Sequence, residues 1–139
     1  MRKIKRRGIM AVTHLGTNLQ LQATGRTDGP KTFVYESPVV SMAGANNVAV
    51  YATTTIAPSE ADSTLEMFLY VSNSVGGNWH ILTTTTVDIK SFGLHRHQHS
   101  AQFANAFVKV RIELTIAAQT PTPKTDRAQF DLNINTASL

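Results

Sequence analysis

The segment AFVKVRIELTIAA, residues 106–118, decides the fold class of this chain. Every second residue is a branched aliphatic one, and these are Val108, Val110, Ile112, Leu114 and Ile116. The residues between them are polar or charged: Lys109, Arg111, Glu113 and Thr115. A period of two is typical of a β-strand with one face in a core and the other toward solvent. The segment therefore predicts a half-buried antiparallel strand.

The same signal recurs on both sides of this segment. QFDLNIN (129–135) alternates likewise and predicts Phe130, Leu132 and Ile134 inward. TLEMFLYVS (64–72) is continuously apolar from Met67 to Val71, which predicts a central strand covered on both faces. Segments rich in β-branched and aromatic residues predict further strands at 31–37, 47–55 and 79–89, with weaker candidates at 19–23 and 92–99.

Turn residues separate these segments, as in Thr27-Asp28-Gly29-Pro30 and Val75-Gly76-Gly77-Asn78. About eight strands at intervals of roughly 10–15 residues predict an all-β protein, an antiparallel, jelly-roll-like β-sandwich. The expected organisation is a basic N-terminal arm at 1–10 followed by a single sandwich domain at 11–139. The tyrosines Tyr35, Tyr51 and Tyr70 lie in apolar strands and are expected in the core or at its edge.

The positive charge is concentrated at one end. Five of the 13 Lys and Arg residues fall in the first seven positions: Arg2, Lys3, Lys5, Arg6 and Arg7. The rest of the chain has eight basic against nine acidic residues, so the formal charge of +4 comes from the arm. Such an arm suits contact with nucleic acid, through release of counterions, or with an acidic protein surface. The alternatives are a solubilising tail and a functional start at Met10.

Composition narrows the class of protein further. Charged residues make up 16% of the chain, against about 25% in typical globular domains. A surface so poor in charge indicates either extensive contact with other protein or a secreted β domain. The absence of cysteine excludes disulfides and thiolate metal sites. The apolar run 9–12 is too short for a standard signal peptide, and no segment approaches a membrane helix, so neither export by such a signal nor membrane insertion is expected.

The sequence GLHRHQHS places three histidines at alternate positions, His95, His97 and His99. On a strand they share one face, about 7 Å apart, where two of them could hold a divalent transition metal such as Zn²⁺. A pH-sensitive or hydrogen-bonding subunit interface and an ordinary exposed strand are the alternatives. No carboxylate follows closely in sequence, which argues against a cupin enzyme. No cofactor is otherwise expected.

Catalytic motifs are absent: the chain has no G-x-S-x-G elbow and no phosphate-binding loop. The protein is therefore expected not to be an enzyme. Trp79, the single tryptophan, is expected to pack in the core after the Gly-Gly turn. The alternative for Trp79 is an exposed platform on which a sugar ring stacks.

Two segments carry family resemblances. SNSVGGNWHIL (72–82) and AFVKVRIEL (106–114) resemble a hairpin and a late strand of discoidin-like and carbohydrate-binding jelly rolls. The same pairing resembles β-sandwich accessory proteins of phage and virus particles, and a basic arm on a jelly roll resembles the internal arms of capsid proteins. These resemblances imply two different functions.

The first is a non-enzymatic structural protein that assembles into or decorates a virion. Its partners would be copies of itself, other capsid proteins and, through the arm, nucleic acid, and it would lie in the virion assembled in the host cytoplasm. The second is a carbohydrate- or ligand-binding module that uses loops near Trp79 and the cluster of His95, His97 and His99. A third, a metal enzyme, would combine His95, His97 and His99 with His80 or His14.

Overall fold

The computed structural model describes residues 9–24, 29–82, 86–99, 106–117 and 125–138. Within these ranges the chain forms ten β-strands and no helix. The strands are β1 (Ile9–Thr24), β2 (Lys31–Glu36), β3 (Val40–Ser41), β4 (Asn47–Ile56), β5 (Thr64–Ser72), β6 (His80–Ile81), β7 (Val87–Asp88), β8 (Gly93–His99), β9 (Phe107–Ile116) and β10 (Thr125–Ser138).

The strands form two antiparallel sheets that face each other. The first sheet has the order β1-β10-β4-β8, and the second has the order β2-β9-β5-β6, with β3 also paired to β9 and β7 to β5. The pairing is nested, since β1 pairs with β10, β2 with β9, β4 with β8, and β5 with β6 and β7. Nested antiparallel pairs divided between two packed sheets make a jelly roll. The predicted fold class is confirmed.

The core lies between the sheets and follows the predicted alternation. In β9 the residues Val108, Val110, Ile112, Leu114 and Ile116 are all buried. In β10 the inward residues are Phe130, Leu132 and Ile134, as predicted. Each inward position removes an aliphatic or aromatic side chain from water, which stabilises the fold by about 25 cal/mol per Å² of apolar surface buried. The period of two therefore fixes which face of each sheet is inside.

Two strand predictions need correction. Segment 64–72 is a central strand, but burial alternates from Leu65 to Val71, and Glu66, Phe68 and Tyr70 are half-buried on its outer side. A two-layer sandwich covers each sheet on one face only, so no strand in it is enclosed on both. Segment 79–89 is not one strand: β6 pairs with Tyr70 and Val71, β7 pairs with Glu66 and Met67, and residues 83–85 between them lie outside the described ranges.

The tyrosines do not all lie where the sequence places them. Tyr35 packs against the core, with its ring 5.7 Å from that of Phe130 in an edge-on arrangement. Tyr51 and Tyr70 are half-buried on the outer faces of the first and second sheets, respectively. Because tyrosine suits either side of a strand, the apolar neighbours of Tyr51 and Tyr70 in the sequence do not reveal their orientation.

A bulge interrupts β1, the strand at the edge of the first sheet. The register with β10 shifts between His14 and Gly16 and again between Gly16 and Leu19. Asn18 adopts a left-handed conformation with φ of 54°, and its backbone N–H donates to Asp131 Oδ1 at 2.7 Å. A bulge at an edge strand bends it and disrupts the open hydrogen-bonding edge.

A buried carboxylate ties the loop between β4 and β5 to the start of β10. Asp126 accepts hydrogen bonds from the backbone N–H of Ser59 at 2.8 Å and of Glu60 at 3.0 Å, and from Ser63 Oγ at 2.7 Å. Its own neighbour Arg127 donates a fourth through its N–H at 2.9 Å. Burial raises the pKa of Asp126, but these donors outweigh it, so the pKa lies below its ordinary value.

Candidate interaction surfaces

The outer face of the first sheet is formed by the side chains that alternate with the core residues. The strand register sets them in rows across the sheet. One row is Val12, Asn135, Ala49 and Gln98; the next is His14, Asn133, Tyr51 and Arg96; the third is Asp131, Thr53 and Leu94. Nine of these eleven side chains carry no formal charge, with His14 counted as neutral.

Exposed apolar side chains lie at both margins of this face. Val12 on β1 and Leu94 on β8 are each 65% exposed, and Phe92 just before β8 is 78% exposed. A shallow groove of about 430 Å³ runs between Val12 and Leu94 over Tyr51 and Thr53. Large apolar side chains left this open on a sheet face commonly mark a surface that meets another molecule.

Charge on this part of the face is sparse. Across the three rows the charged side chains are Arg96 on β8 and Asp131 on β10, and the described residues offer Arg96 no ion pair. His14 is hydrogen-bonded on both ring nitrogens, with Asn133 Oδ1 at 2.8 Å and Thr17 Oγ1 at 2.6 Å. The face therefore has little charge to desolvate when it is covered.

The outer face of the second sheet is different, since several of its charges are paired with one another. The carboxylate of Glu36 forms ion pairs with Lys109, at 3.2 Å from Oε2 to Nζ, and with Arg111, at 3.4 Å from Oε1 to Nη1. Arg111 Nε also lies 2.8 Å from Glu113 Oε2. Arg111 also lies over the ring of Tyr70, at 5.9 Å from its centroid. Ion pairs that are already satisfied within one chain need no partner molecule.

Trp79 borders this second face and does not pack in the core, contrary to the expectation from its place after the Gly-Gly turn. Trp79 is half-buried, and it belongs neither to the buried core of the described residues nor to the side chains packed against that core. The ammonium of Lys109 lies 4.5 Å from the centre of its ring. A cation at that distance makes a cation–π contact and covers one ring face. That face is not open for the stacking of a sugar.

His95 and His97 lie on one side of β8, but that side is the inner one. His95 and His97 pair with Ala52 and Val50, whose side chains point into the core, and both imidazoles are half-buried at the sheet edge. His95 Nε2 donates to the carbonyl oxygen of Ser91 at 2.7 Å, because a carbonyl can only accept. For His99 only the backbone is described.

The histidines proposed as additional metal ligands are not brought to this cluster. His14 lies on the outer face of β1, three strands away from β8, and His80 lies in the second sheet. In the described part of the chain, no three His, Cys, Asp or Glu side chains are grouped so that they could hold a metal ion. The geometry therefore gives no support to a metal enzyme built from these residues.

The basic arm residues Arg2, Lys3, Lys5, Arg6 and Arg7 lie outside the described residues. The described chain starts in β1, where Ile9 pairs with Ser138 of β10. The arm therefore attaches at the edge of the first sheet, close to the end of the last strand.

Similar folds occur in structures of virus particles. The crystal structure of the infectious bursal disease virus VP2 subviral particle matches 95% of this chain at 10% identity, with a TM-score of 0.59. Structures of the Gx and Gt strains of that virus match 94% and 95% of the chain at 7% and 9% identity, with TM-scores of 0.51 and 0.52.

This resemblance is one of fold, to a viral capsid-type jelly roll. The chain spans about a third of the length of these structures, at 32%, 33% and 34% of them. No protein-family model and no curated protein matches the sequence. Among the described residues, no helix has the length and apolar character needed to cross a membrane.

The exposed apolar residues Val12, Phe92 and Leu94 are not among the candidates drawn from the sequence. A signal for one of them is present, because Leu94 alternates with Arg96 and Gln98 on the polar side of β8. That signal is weak, because single apolar side chains are common on protein surfaces.

Proposed function

We propose that this protein is a non-enzymatic structural component of a virus or phage particle, and that it acts by assembly. The observation that carries the proposal is the outer face of the first sheet, where Arg96 and Asp131 are the charged side chains of the three rows and where Val12 and Leu94 are exposed at opposite margins. Such a face is suited to close contact with protein, since little charge has to lose its water.

The jelly-roll topology supports the same proposal. The solved structures that share the fold include that of a subviral particle. For this chain, the partners would be further copies of itself or other capsid subunits. Its location would be the virion. Assembly into a particle and decoration of a particle already formed are both compatible with the fold.

The basic arm supplies a second, electrostatic contact. It is the only part of the chain with a strong excess of charge, since the remainder has eight basic and nine acidic residues. We assign the arm to an acidic partner, either packaged nucleic acid or an acidic surface of a neighbouring subunit. Its contact would weaken steeply as salt rises, whereas contact through the sparsely charged sheet face would depend on salt far less.

The experiment is the native mass of the purified protein by light scattering, across a concentration series, at low and at high salt. We expect multimers. Multimers that persist at high salt would assign the contact to the sheet faces. Multimers that are lost at high salt, and also when the five basic residues of the arm are replaced by glutamine, would assign it to the arm. A monomer in every condition would overturn self-assembly. Electron microscopy of the same samples would show whether the multimers are closed shells.

A further inference from the structure

We propose that the outer face of the first sheet binds the same face of a second copy across a two-fold axis, with Arg96 of each copy paired to Asp131 of the other. The inference rests on the proposed assembly function and names one of its contacts. It is carried by the positions of four side chains, Val12, Leu94, Arg96 and Asp131, in the strand register.

The apolar residues define a diagonal across the face. Val12 lies on β1 in the first row and Leu94 on β8 in the third row, and the groove between them passes over Tyr51 and Thr53. The strands are about 4.8 Å apart and alternate residues about 6.8 Å apart, which makes this diagonal about 20 Å long.

The two charges lie on opposite sides of that diagonal. Arg96 is on β8 in the second row, and Asp131 is on β10 in the third row, about 12 Å away by the same spacings. The line that joins them crosses the diagonal at nearly a right angle. Its midpoint falls on β4 between Tyr51 and Thr53, at the floor of the groove.

This arrangement is self-complementary under a two-fold rotation about an axis that lies along the groove. The rotation brings the Arg96 of one copy over the Asp131 of the other, and the reverse pair forms at the same time. Side chains on the axis meet their own copies, so Leu94 packs near Leu94 and Val12 near Val12. The face therefore offers apolar contact along the axis and an ion pair on each side of it.

Asp131 can take this role without losing its present bond. Its Oδ1 accepts the backbone N–H of Asn18, and a carboxylate has about four lone-pair positions to offer. That bond also fixes the carboxylate in place before a partner arrives. Arg96 is exposed at the sheet edge and has the planar donor group that suits a carboxylate.

The size of the contact predicts its strength. The patch is four strands wide, about 14 Å, and three rows long, so it buries only a few hundred Å² per copy. Stable dimers bury about 800 Å² per partner. The isolated contact should therefore be weak, and it would become firm only where several contacts act together in an assembly.

The test uses charge reversal in the full chain, with association measured by sedimentation velocity up to high protein concentration. Arg96→Glu alone and Asp131→Arg alone each place like charges together at both sites, and each should weaken self-association by about tenfold or more. An equimolar mixture of the two variants should associate as the wild type does. In the mixed dimer, the new Glu faces the new Arg, and the native Asp131 faces the native Arg96.

A cross-linking measurement is independent of Asp131, whose replacement also removes the bond to Asn18. The chain has no cysteine, so Leu94→Cys introduces a single thiol next to the proposed axis. A short bismaleimide should join two copies of this variant. The matched control is Val75→Cys, which is 57% exposed in the loop between β5 and β6 and should give far less dimer.

The outcomes separate this inference from the proposed function. A wild type that associates, with both charge variants unaffected and no preferential cross-link at position 94, overturns the assigned face and leaves assembly standing. A wild type that stays monomeric at all concentrations overturns the assembly itself. Loss of association in both variants without recovery in the mixture overturns the reciprocal ion pair.

Discussion

At the scale of single residues, Asp126 shows how one buried carboxylate holds a loop. It is 4% exposed and accepts from Ser59, Glu60, Ser63 and Arg127. Asp126→Asn replaces one acceptor oxygen by an NH₂ group that faces donors. We expect it to lower the free energy of unfolding by about 2–3 kcal/mol at pH 7, as measured by urea unfolding.

The same residue predicts a dependence on pH. Because the pKa of Asp126 is lower in the folded chain than in the unfolded one, its ionisation stabilises the fold above the unfolded value of about 3.9, and that stabilisation is lost as the pH falls through the folded value. The difference in the free energy of unfolding between the wild type and Asp126→Asn should therefore narrow as the pH is lowered below about 4. Asp62→Asn, exposed in the same loop, is the control and should show no such difference.

At the scale of the element, the bulge in β1 depends on a glycine. A Cβ on Gly16 would lie 2.6 Å from Leu19 Cδ2 and 2.8 Å from Leu19 Cγ. Leu19 packs against the core, so it cannot move without disturbing its neighbours. Gly16→Ala should lower the free energy of unfolding by about 1–3 kcal/mol in urea.

The matched control for Gly16→Ala is Gly76→Ala in the β5–β6 loop, where a Cβ would meet nothing within 4 Å. This variant should be neutral to within about 0.5 kcal/mol. Equal losses in the two variants would show that the cost comes from glycine replacement in general and not from the packing of Leu19 against the bulge.

The elements also show what the sequence reveals and what it does not. The inward faces of β9 and β10 are predictable, because burial of one sheet face imposes a period of two on Val108–Ile116 and Phe130–Ile134. The alternation of His95 and His97 along β8 predicts one shared face, but periodicity cannot say which face of the sheet it is. Only the pairing of β8 with β4, at a distance of about 45 residues in the chain, places His95 and His97 inward and Leu94 outward.

The same limit applies to the candidate interface. Val12, Asp131, Tyr51 and Leu94 come from four strands that are widely separated in the chain. Their approach depends on the nested pairing of the jelly roll, in which strand order in space differs from strand order in sequence. Local patterns can identify each strand but cannot place these side chains in neighbouring rows.

At the scale of the whole molecule, charge is divided between two parts. The first seven residues hold five cations, whereas the rest of the chain has eight basic and nine acidic residues. Any strong attraction to a polyanion must therefore come from the arm. The sandwich keeps Lys109 and Arg111 in ion pairs with its own Glu36, which further limits what the body can offer to phosphates.

This division predicts how the protein responds to nucleic acid. Replacement of Arg2, Lys3, Lys5, Arg6 and Arg7 by glutamine should abolish binding to duplex DNA in fluorescence anisotropy and leave the thermal stability of the sandwich unchanged. For the wild type, each phosphate contact contributes about −0.9 to the slope of the logarithm of the binding constant against the logarithm of salt concentration. Five contacts therefore set a limit of about −4.5 for that slope. Lys31→Gln with Arg127→Gln, two exposed cations of the body, is the control and should bind as the wild type does. Binding that survives loss of the arm would place the polyanion site on the sandwich, and would contradict the assignment of charge and assembly to separate parts of the molecule.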